Sequence, residues 1–116
     1  MRTVKIKWML AVGLVAALGT AQRRQPPWEK NRSQIGQALF RENCVVCHDI
    51  DGPQSKKLGP SFYQLFKHDK MPLSNMKPNR EYIKVRVRFG GPIMPAFRQW
   101  LSDREINMLI DYMASK

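Results

Sequence analysis

Two cysteines and a histidine fall within five consecutive residues, Cys44-Val45-Val46-Cys47-His48, and the chain contains no other cysteine. This spacing, C-x-x-C-H, is the attachment signature of a c-type haem. On one helical turn, positions i, i+3 and i+4 project from the same side of the backbone. Both sulfurs can therefore form thioether bonds to one edge of a porphyrin while the imidazole of His48 takes an axial position on the iron.

Two other kinds of site use the same cysteine spacing: a redox dithiol and half of a structural zinc site. A structural zinc site usually has four ligands, and beyond the C-x-x-C-H segment the chain offers one further histidine, His68. A thioredoxin-like dithiol lies in a βαβ context, which the sequence pattern does not indicate. Haem attachment is the favoured interpretation, and the two alternatives stay open.

The first 21 residues have the pattern of a secretory signal peptide. Three basic residues come first, an uncharged and mostly apolar run follows at Trp8–Leu18, and small residues lead to Ala21, after which we expect cleavage. The alternative is an uncleaved membrane anchor, but residues 8–21 number fourteen, whereas a bilayer-spanning helix needs roughly 20. We expect a periplasmic or otherwise exported protein with no stable membrane span after cleavage.

Residues 22–32 contain adjacent arginines and adjacent prolines and are predicted to be a flexible, solvated lead-in. The remaining segment, 33–116, is predicted to form one small domain. A chain of this length buries a limited protein core on its own. A covalently held haem would supply the missing apolar bulk.

The chain is strongly basic, with 20 lysines and arginines against 9 aspartates and glutamates and a formal charge of +11. Removing residues 1–21 takes away three basic residues and no acidic one, which leaves +8. Such a surface can attract nucleic acid, an anionic membrane or an acidic protein. Nucleic acid is the poorest of these partners for an exported haem protein, so we expect redox partner proteins with an acidic docking surface. A charge that serves solubility alone is the alternative.

The apolar pattern predicts short helices. The first begins near Ser33, a suitable N-cap, and carries Gly36 on the same side as Phe40. A glycine inside a helix costs stability, so Gly36 indicates either the close approach of another helix or a tolerated glycine. Residues 49–58 are polar and rich in turn formers, and apolar residues recur at helical spacing over Phe62–Phe66.

Two further helices are predicted in the C-terminal half. Asn79 can cap a helix over Arg80–Phe89 that ends at two glycines, although the alternation of apolar and basic residues there also fits a strand. The closing helix starts with a capping box, Ser102 and Glu105. It continues with apolar residues at i, i+3, i+4 and i+7, namely Ile106, Leu109, Ile110 and Met113.

A haem iron bound by His48 has a second axial side. Met94 is the favoured ligand there, because prolines on both sides restrict its loop and an unrestrained methionine would lose the freedom of three rotatable bonds. His68 is the main rival, since ligation by two imidazoles is chemically sound. Met71 is a weaker candidate.

The layout resembles a class I bacterial c-type cytochrome, a small monohaem electron carrier, over about residues 33–113. The features that carry the resemblance are Gly36 and Phe40, Cys44-Val45-Val46-Cys47-His48, Gly59-Pro60, Leu65, Ile93-Met94-Pro95-Ala96-Phe97 and Leu101-Ser102-Asp103-Arg104-Glu105-Ile106. Two segments, 49–58 and 67–79, match no motif of the family. Phe62 stands where a smaller aliphatic residue is common.

The resemblance implies an all-α cytochrome c fold, with three to five short helices wrapped around one covalently attached haem c. Cys44 and Cys47 would form the thioethers. His48 and Met94 would ligate the iron. The carbonyl of Pro60 would accept a hydrogen bond from the second nitrogen of His48, which fixes the tautomer of that ligand.

The resemblance also implies that the first and last helices cross at Gly36 and Phe40. Leu109 and Tyr112 would be the opposing residues on the last helix. This crossing would explain the glycine by the close approach of two backbones.

Ligation by a histidine and a methionine fills both axial sites, so the expected function is single-electron transfer between redox proteins, not catalysis. The protein would act either as a soluble shuttle or as the cytochrome subunit of a periplasmic oxidoreductase. An exposed haem edge would be the exit for the electron, with Lys56, Lys57 and Lys67 as candidates for guiding an acidic partner. The alternative is a haem enzyme or gas-sensing domain with an open or displaceable sixth ligand. Apart from His68, the sequence offers no obvious distal acid–base or hydrogen-bonding group for that alternative.

Overall fold

The computed structural model describes residues 26–116. Over this part of the chain the protein is helical and contains no β-strand, so the predicted all-α class is confirmed. The elements are α1 (Pro27–Lys30), α2 (Arg32–Asn43), a 3₁₀ helix (Leu65–Lys67), α3 (Arg80–Phe89) and α4 (Asp103–Ala114). The predicted signal peptide, 1–21, and the first residues of the predicted lead-in, 22–25, lie outside the described residues.

The start of α2 differs from the prediction. Ser33 is not the N-cap, because the helix begins at Arg32, one turn after α1 starts at Pro27. A proline suits the first position of a helix, since its φ is already fixed near the helical value. The guanidinium of Arg32 bonds to Glu29 of α1 (3.1 Å) and to Asp111 of α4 (2.7 Å). These ion pairs hold the first turn of α2 in place of a serine cap, and part of the predicted lead-in is helical.

α3 and α4 begin as predicted. The side-chain oxygen of Asn79 accepts hydrogen bonds from the amides of Glu81 (2.8 Å) and Tyr82 (3.2 Å), and α3 is helical throughout, which excludes the alternative strand. Ser102 and Glu105 form the predicted capping box of α4. The hydroxyl and then the amide of Ser102 donate to the carboxylate of Glu105 and hold the pKa of that group below its usual range.

α2 and α4 cross at a very short distance. Gly36 is buried, and a Cβ atom at this position would lie 2.8 Å from Cβ of Tyr112 and would overlap the backbone carbonyl of Met108. Further along α2, the ring of Phe40 packs on Tyr112 with centroids 5.8 Å apart. The predicted crossing of Gly36 and Tyr112 is confirmed. The backbone of Met108 also lies against Gly36, and the predicted Leu109 is buried in the same core as Phe40.

The hydrophobic core lies between α2, α3, α4 and the 3₁₀ helix, and the four apolar positions predicted on α4 are all buried. On the surface of this core, the carboxylate of Asp111 in α4 pairs with Arg32 of α2 (2.7 Å) and with Arg80 of α3 (2.5 Å). One carboxylate therefore connects three helices.

The middle of the chain has little regular structure. Residues 49–58 form the predicted loop. The predicted helical segment Phe62–Phe66 is reduced to the short 3₁₀ helix, because Gln64 has a left-handed backbone (φ 47°) that a continuous helix cannot contain. Among residues 26–116, every helix is too short or too polar to traverse a lipid bilayer.

Candidate functional site

The two cysteines lie in a tight turn directly after α2. The amides of Cys47 and His48 donate to the carbonyl of Cys44 at 3.0 and 2.9 Å. This pattern holds the three predicted site residues within one turn of backbone. Both cysteines are free thiols of intermediate exposure.

Burial raises the pKa of the Cys44 thiol to about 11, and the neighbouring Cys47 adds to the rise. A raised pKa makes the thiolate of Cys44 less available to a redox dithiol mechanism. Residues 26–116 bring together no group of three His, Cys, Asp or Glu side chains that could hold a metal ion. Within residues 26–116, Cys44, Cys47 and His48 are thus without the further ligands of a four-coordinate zinc site.

Among the described residues, His48 is the one buried side chain that is polar or charged. Its Nδ1 lies 2.9 Å from the carbonyl oxygen of Pro60. A carbonyl can only accept, so Nδ1 carries the proton and donates it, and Nε2 of the neutral ring keeps its lone pair. The structure thus presents His48 in the tautomer that can ligate a metal through Nε2.

Two neighbours enclose the imidazole of His48. A Cβ atom on Gly59 would lie 2.5 Å from Nδ1, so the backbone of Gly59 lies directly against the edge of the ring. The ring of Phe62 stacks on the face of the imidazole, with centroids 4.4 Å apart and planes inclined by 21°. The orientation of the imidazole is therefore restricted at its edge and on its face.

Lys57 joins the loop 49–58 to the turn. Its ammonium donates to the carbonyls of Val45 (2.6 Å) and His48 (3.3 Å) and pairs with the carboxylate of Asp49 (2.8 Å). Hydrogen bonds from Lys57 and then from Ser55 lower the pKa of Asp49. The ammonium of Lys57 thus binds within the chain, where the sequence predicted a residue that guides a partner.

An apolar cavity lies beside His48. Its lining includes Cys44, His48, Met71 and Met94, and the other walls come mainly from apolar side chains of α2, α3 and α4. A thiol, an imidazole and two thioether side chains thus line one cavity, together with Arg86 of α3.

The backbone around Met94 is tied to the end of α3. The amide of Gly91 donates to the carbonyl of Met94 at 2.9 Å, and the amide of Phe97 donates to the carbonyl of Val87 at 2.9 Å. Gly90 has a φ of +71°, and a Cβ atom there would overlap the carbonyl of Met94. Glycine is required at this position for both reasons, and the loop presents Met94 to the cavity from a fixed backbone.

The other two candidates for the second ligand differ in position. His68 is exposed, its Nε2 lies 2.9 Å from the carbonyl of Tyr63, and it does not line the cavity. Met71 does line the cavity, and its amide donates to the carbonyl of Met76 at 2.8 Å. Met71 and Met94 therefore line the cavity beside His48, and the rival candidate His68 does not.

Residues 31–113 match the family described as cytochrome c oxidase, cbb3-type, subunit III. The chain belongs to this family. It is a c-type cytochrome domain of the class I kind, with the cytochrome c fold, covalently attached haem c and a function in haem-based electron transfer. The predicted family resemblance, fold and cofactor are confirmed. No curated protein and no solved structure matches the chain.

The residues at the site of this cytochrome fit haem c. Cys44 and Cys47 are free thiols, as thioether formation requires, and His48 offers a lone pair at Nε2. The cavity supplies apolar walls and sulfur atoms of the type that binds iron. Two contacts of the site were not predicted from the sequence, the stack of Phe62 on His48 and the bonds from Lys57.

Proposed function

We propose that this cytochrome is a periplasmic monohaem electron carrier. Cys44 and Cys47 form the two thioether bonds, and His48 and Met94 are the axial ligands. When bound, haem c supplies a one-electron couple between ferric and ferrous iron. The observation that carries the proposal is that Cys44, His48 and Met94 line the same cavity. The hydrogen bond from Nδ1 of His48 to the carbonyl of Pro60 adds to it, because it leaves Nε2 free to bind iron.

His48 is the ligand on the side of the turn. Its hydrogen bond to Pro60 keeps the proton on Nδ1 and makes Nε2 a more basic donor. The residue as a whole is buried, which limits its exchange with solvent. Both features favour a permanent bond over an exchangeable one.

Met94 is the ligand on the opposite side. A thioether is a soft donor that favours the reduced state and raises the reduction potential relative to ligation by two histidines. The apolar walls of the cavity act in the same direction, because a low-dielectric environment disfavours the extra positive charge of the oxidised state. With both axial positions filled by side chains, the protein acts as a carrier and not as an enzyme.

Export is the second part of the proposal. C-type cytochromes are generally exported, and residues 1–21 have the composition of a signal peptide that is cleaved after Ala21. In an oxidising compartment, two free thiols three residues apart are at risk of forming a disulfide. Attachment of both Cys44 and Cys47 to haem removes that risk.

The redox partners are proposed to dock through an acidic surface. The formal charge of +8 after cleavage gives the long-range attraction. Of the three lysines predicted to guide a partner, Lys56 is exposed beside the turn. Lys57 bonds within the turn, and Lys67 donates to the carbonyl of Lys116 at 3.0 Å. The attraction therefore rests on the charge of the whole molecule more than on a ring of three free lysines.

Absorption spectroscopy of the fully matured protein tests the proposed ligands. Haem that resists acid–acetone extraction would establish the thioether bonds. The ferric wild type is expected to show the far-red band that arises from charge transfer between sulfur and iron. This band is expected to disappear in Met94→Ala and to persist in His68→Ala, which is the matched control for the rival ligand.

Three outcomes would contradict the proposal. Haem that is extracted by acid–acetone would exclude covalent attachment. A far-red band that survives Met94→Ala but is lost in Met71→Ala would assign the ligand to Met71. Avid binding of carbon monoxide by the ferrous wild type would indicate an open or displaceable axial site, as in a sensor or an enzyme.

A further inference from the structure

The ring of Phe62 lies almost parallel to the imidazole of His48, at a centroid distance of 4.4 Å and an angle of 21°. Most aromatic pairs in proteins are offset-stacked or edge-to-face, and a near-parallel stack brings a large part of one ring face against the other. In class I cytochromes, which the sequence resembles, a smaller aliphatic side chain is common at the position of Phe62. Phe62 therefore gives His48 a contact that an aliphatic residue cannot provide.

Phe62 is itself held in place. Its amide donates to the carbonyl of Asp49 at 2.8 Å, one residue after His48. Its ring also meets Phe40 of α2 edge-on, with centroids 6.4 Å apart and planes at 73°. The hydroxyl of Ser61, the preceding residue, donates to the carbonyl of Gly52. Because the backbone and the ring are both anchored, the stack on His48 is a defined contact of the fold.

The three contacts of the imidazole restrict different motions. The hydrogen bond from Nδ1 to Pro60 fixes one point on the edge of the ring. The ring is also joined to the backbone through Cβ, and it can still rotate about the Cβ–Cγ bond within the angular tolerance of the hydrogen bond. The face of Phe62 opposes this rotation, and the backbone of Gly59 closes the space beside Nδ1.

We propose that Phe62 is a positioning residue that sets the plane of the His48 imidazole in the holoprotein. This inference rests on the proposed function, since it requires His48 to be an axial ligand. In a ferric low-spin haem, the direction of the axial imidazole plane controls how the unpaired electron is distributed over the four pyrrole rings. Phe62 would thus determine an electronic property of the site without contacting the iron.

Proton nuclear magnetic resonance of the ferric holoprotein tests this role, because the shifts of the haem methyl groups depend on the direction of the imidazole plane. In Phe62→Leu the order or the spread of these shifts is expected to change. Phe62→Tyr keeps an aromatic face on the imidazole and is expected to show the wild-type pattern. Phe66→Leu is the matched control, since Phe66 is also partly buried against the same core and is expected to leave the pattern unchanged.

A wild-type methyl pattern in Phe62→Leu would overturn the proposal. An equal change in Phe62→Leu and Phe66→Leu would also overturn it, because the effect would then reflect general loosening of the core. The same holds if Phe62→Tyr behaves like the leucine variant. Should Phe62→Leu fail to mature, the ferrous wild type decides: cross-relaxation between the ring protons of Phe62 and His48 is expected, and its absence rejects the stack.

The failure of this inference is distinguishable from the failure of the proposed function. Ring protons of His48 with strong paramagnetic shifts in the ferric wild type report axial ligation by His48. If these signals are missing, the proposed function fails. If they are present and Phe62→Leu keeps the wild-type methyl pattern, only the role of Phe62 is rejected.

Discussion

The imidazole of His48 is positioned largely by the backbone that follows it. Gly59 and Pro60 supply a ring-edge contact and a carbonyl acceptor, and Phe62 comes two residues later. A short stretch of chain thus folds back over the residue that ends the C-x-x-C-H turn. The amide of Gly59 also donates to the carbonyl of Cys47 at 2.7 Å, which closes this return.

Gly59→Ala is expected to destabilise the folded holoprotein by about 1–3 kcal/mol, because the new methyl group would overlap the imidazole of His48 and the backbone would have to shift. Thermal unfolding followed by the haem absorption band measures this loss. Gly52→Ala is the matched control from the preceding loop, since a Cβ atom there meets no atom within 4 Å. Equal midpoints for the two variants would show that Gly59 does not constrain His48.

The ion pair of Lys57 and Asp49 predicts a pH dependence of stability. The pKa of Asp49 is lowered in the folded state by hydrogen bonds from Lys57 and then from Ser55. A carboxyl whose folded pKa is depressed contributes stability above its unfolded pKa of about 3.9, and this contribution is lost as pH falls through the folded pKa.

Denaturant unfolding at a series of pH values tests the pair. Asp49→Asn is expected to be less stable than wild type at neutral pH, and the difference is expected to shrink as the pH is lowered below about 4. Asp69→Asn serves as control, because Asp69 is exposed and forms none of the ion pairs found between the described residues. A difference that stays constant down to low pH would contradict the role of the Asp49 charge.

For single residues, the sequence indicated the chemical type of the site, but it did not indicate which side chains contact it. C-x-x-C-H identified the thiols and His48 because a helical turn is a local structure. The stack of Phe62 could not be predicted, because Gln64 interrupts the expected helix with a left-handed backbone and the return of the chain onto His48 is a tertiary contact. Lys57 was predicted to guide a partner because it is positively charged. Its charge does not reveal that the ammonium binds carbonyls of the turn.

Among the helices, those with a local start signal were predicted best. Asn79 and Ser102 cap α3 and α4 through bonds to amides two or three residues away. The start of α2 is different, because Arg32 pairs with Asp111, 79 residues later in the chain. A contact of that separation has no signature in the local sequence, and the prediction therefore selected Ser33 instead.

The crossing of α2 and α4 gives a test in which the sign of the effect is informative. In an exposed helix, Gly→Ala stabilises by up to about 1 kcal/mol through helix propensity. Gly36→Ala is expected to destabilise by about 1–3 kcal/mol instead, because a Cβ atom would overlap the carbonyl of Met108 and lie 2.8 Å from Cβ of Tyr112. Denaturant unfolding measures the change. A stabilised variant would show that the helices do not pack as closely as described.

At the scale of the whole molecule, the basic charge is expected to control the rate of electron exchange. The reaction tested is the transfer of one electron from the ferrous cytochrome to an inorganic oxidant of known charge. With hexacyanoferrate(III), an anion, the second-order rate constant is expected to fall as salt is raised from about 0.01 M to about 0.15 M, since the screening length drops from roughly 30 to roughly 8 Å.

A cationic oxidant is the control for that experiment. With tris(phenanthroline)cobalt(III), the rate constant is expected to rise over the same range of salt, because screening relieves repulsion. Stopped-flow absorption measures both reactions. If the rate constants for the two oxidants change with salt in the same direction, the net positive charge of the protein does not act at the exit for the electron.

The irregular middle of the chain has a consequence for solvent access to the ligand. Pro60, which accepts a hydrogen bond from Nδ1 of His48, belongs to this segment and lies outside the helices, whereas Gly36 and Tyr112 lie within α2 and α4. Segments outside regular secondary structure open more often than packed helices. In deuterated water, the Nδ1 proton of His48 would thus be replaced at the rate at which the middle segment opens, well before the amides of the helix crossing are labelled.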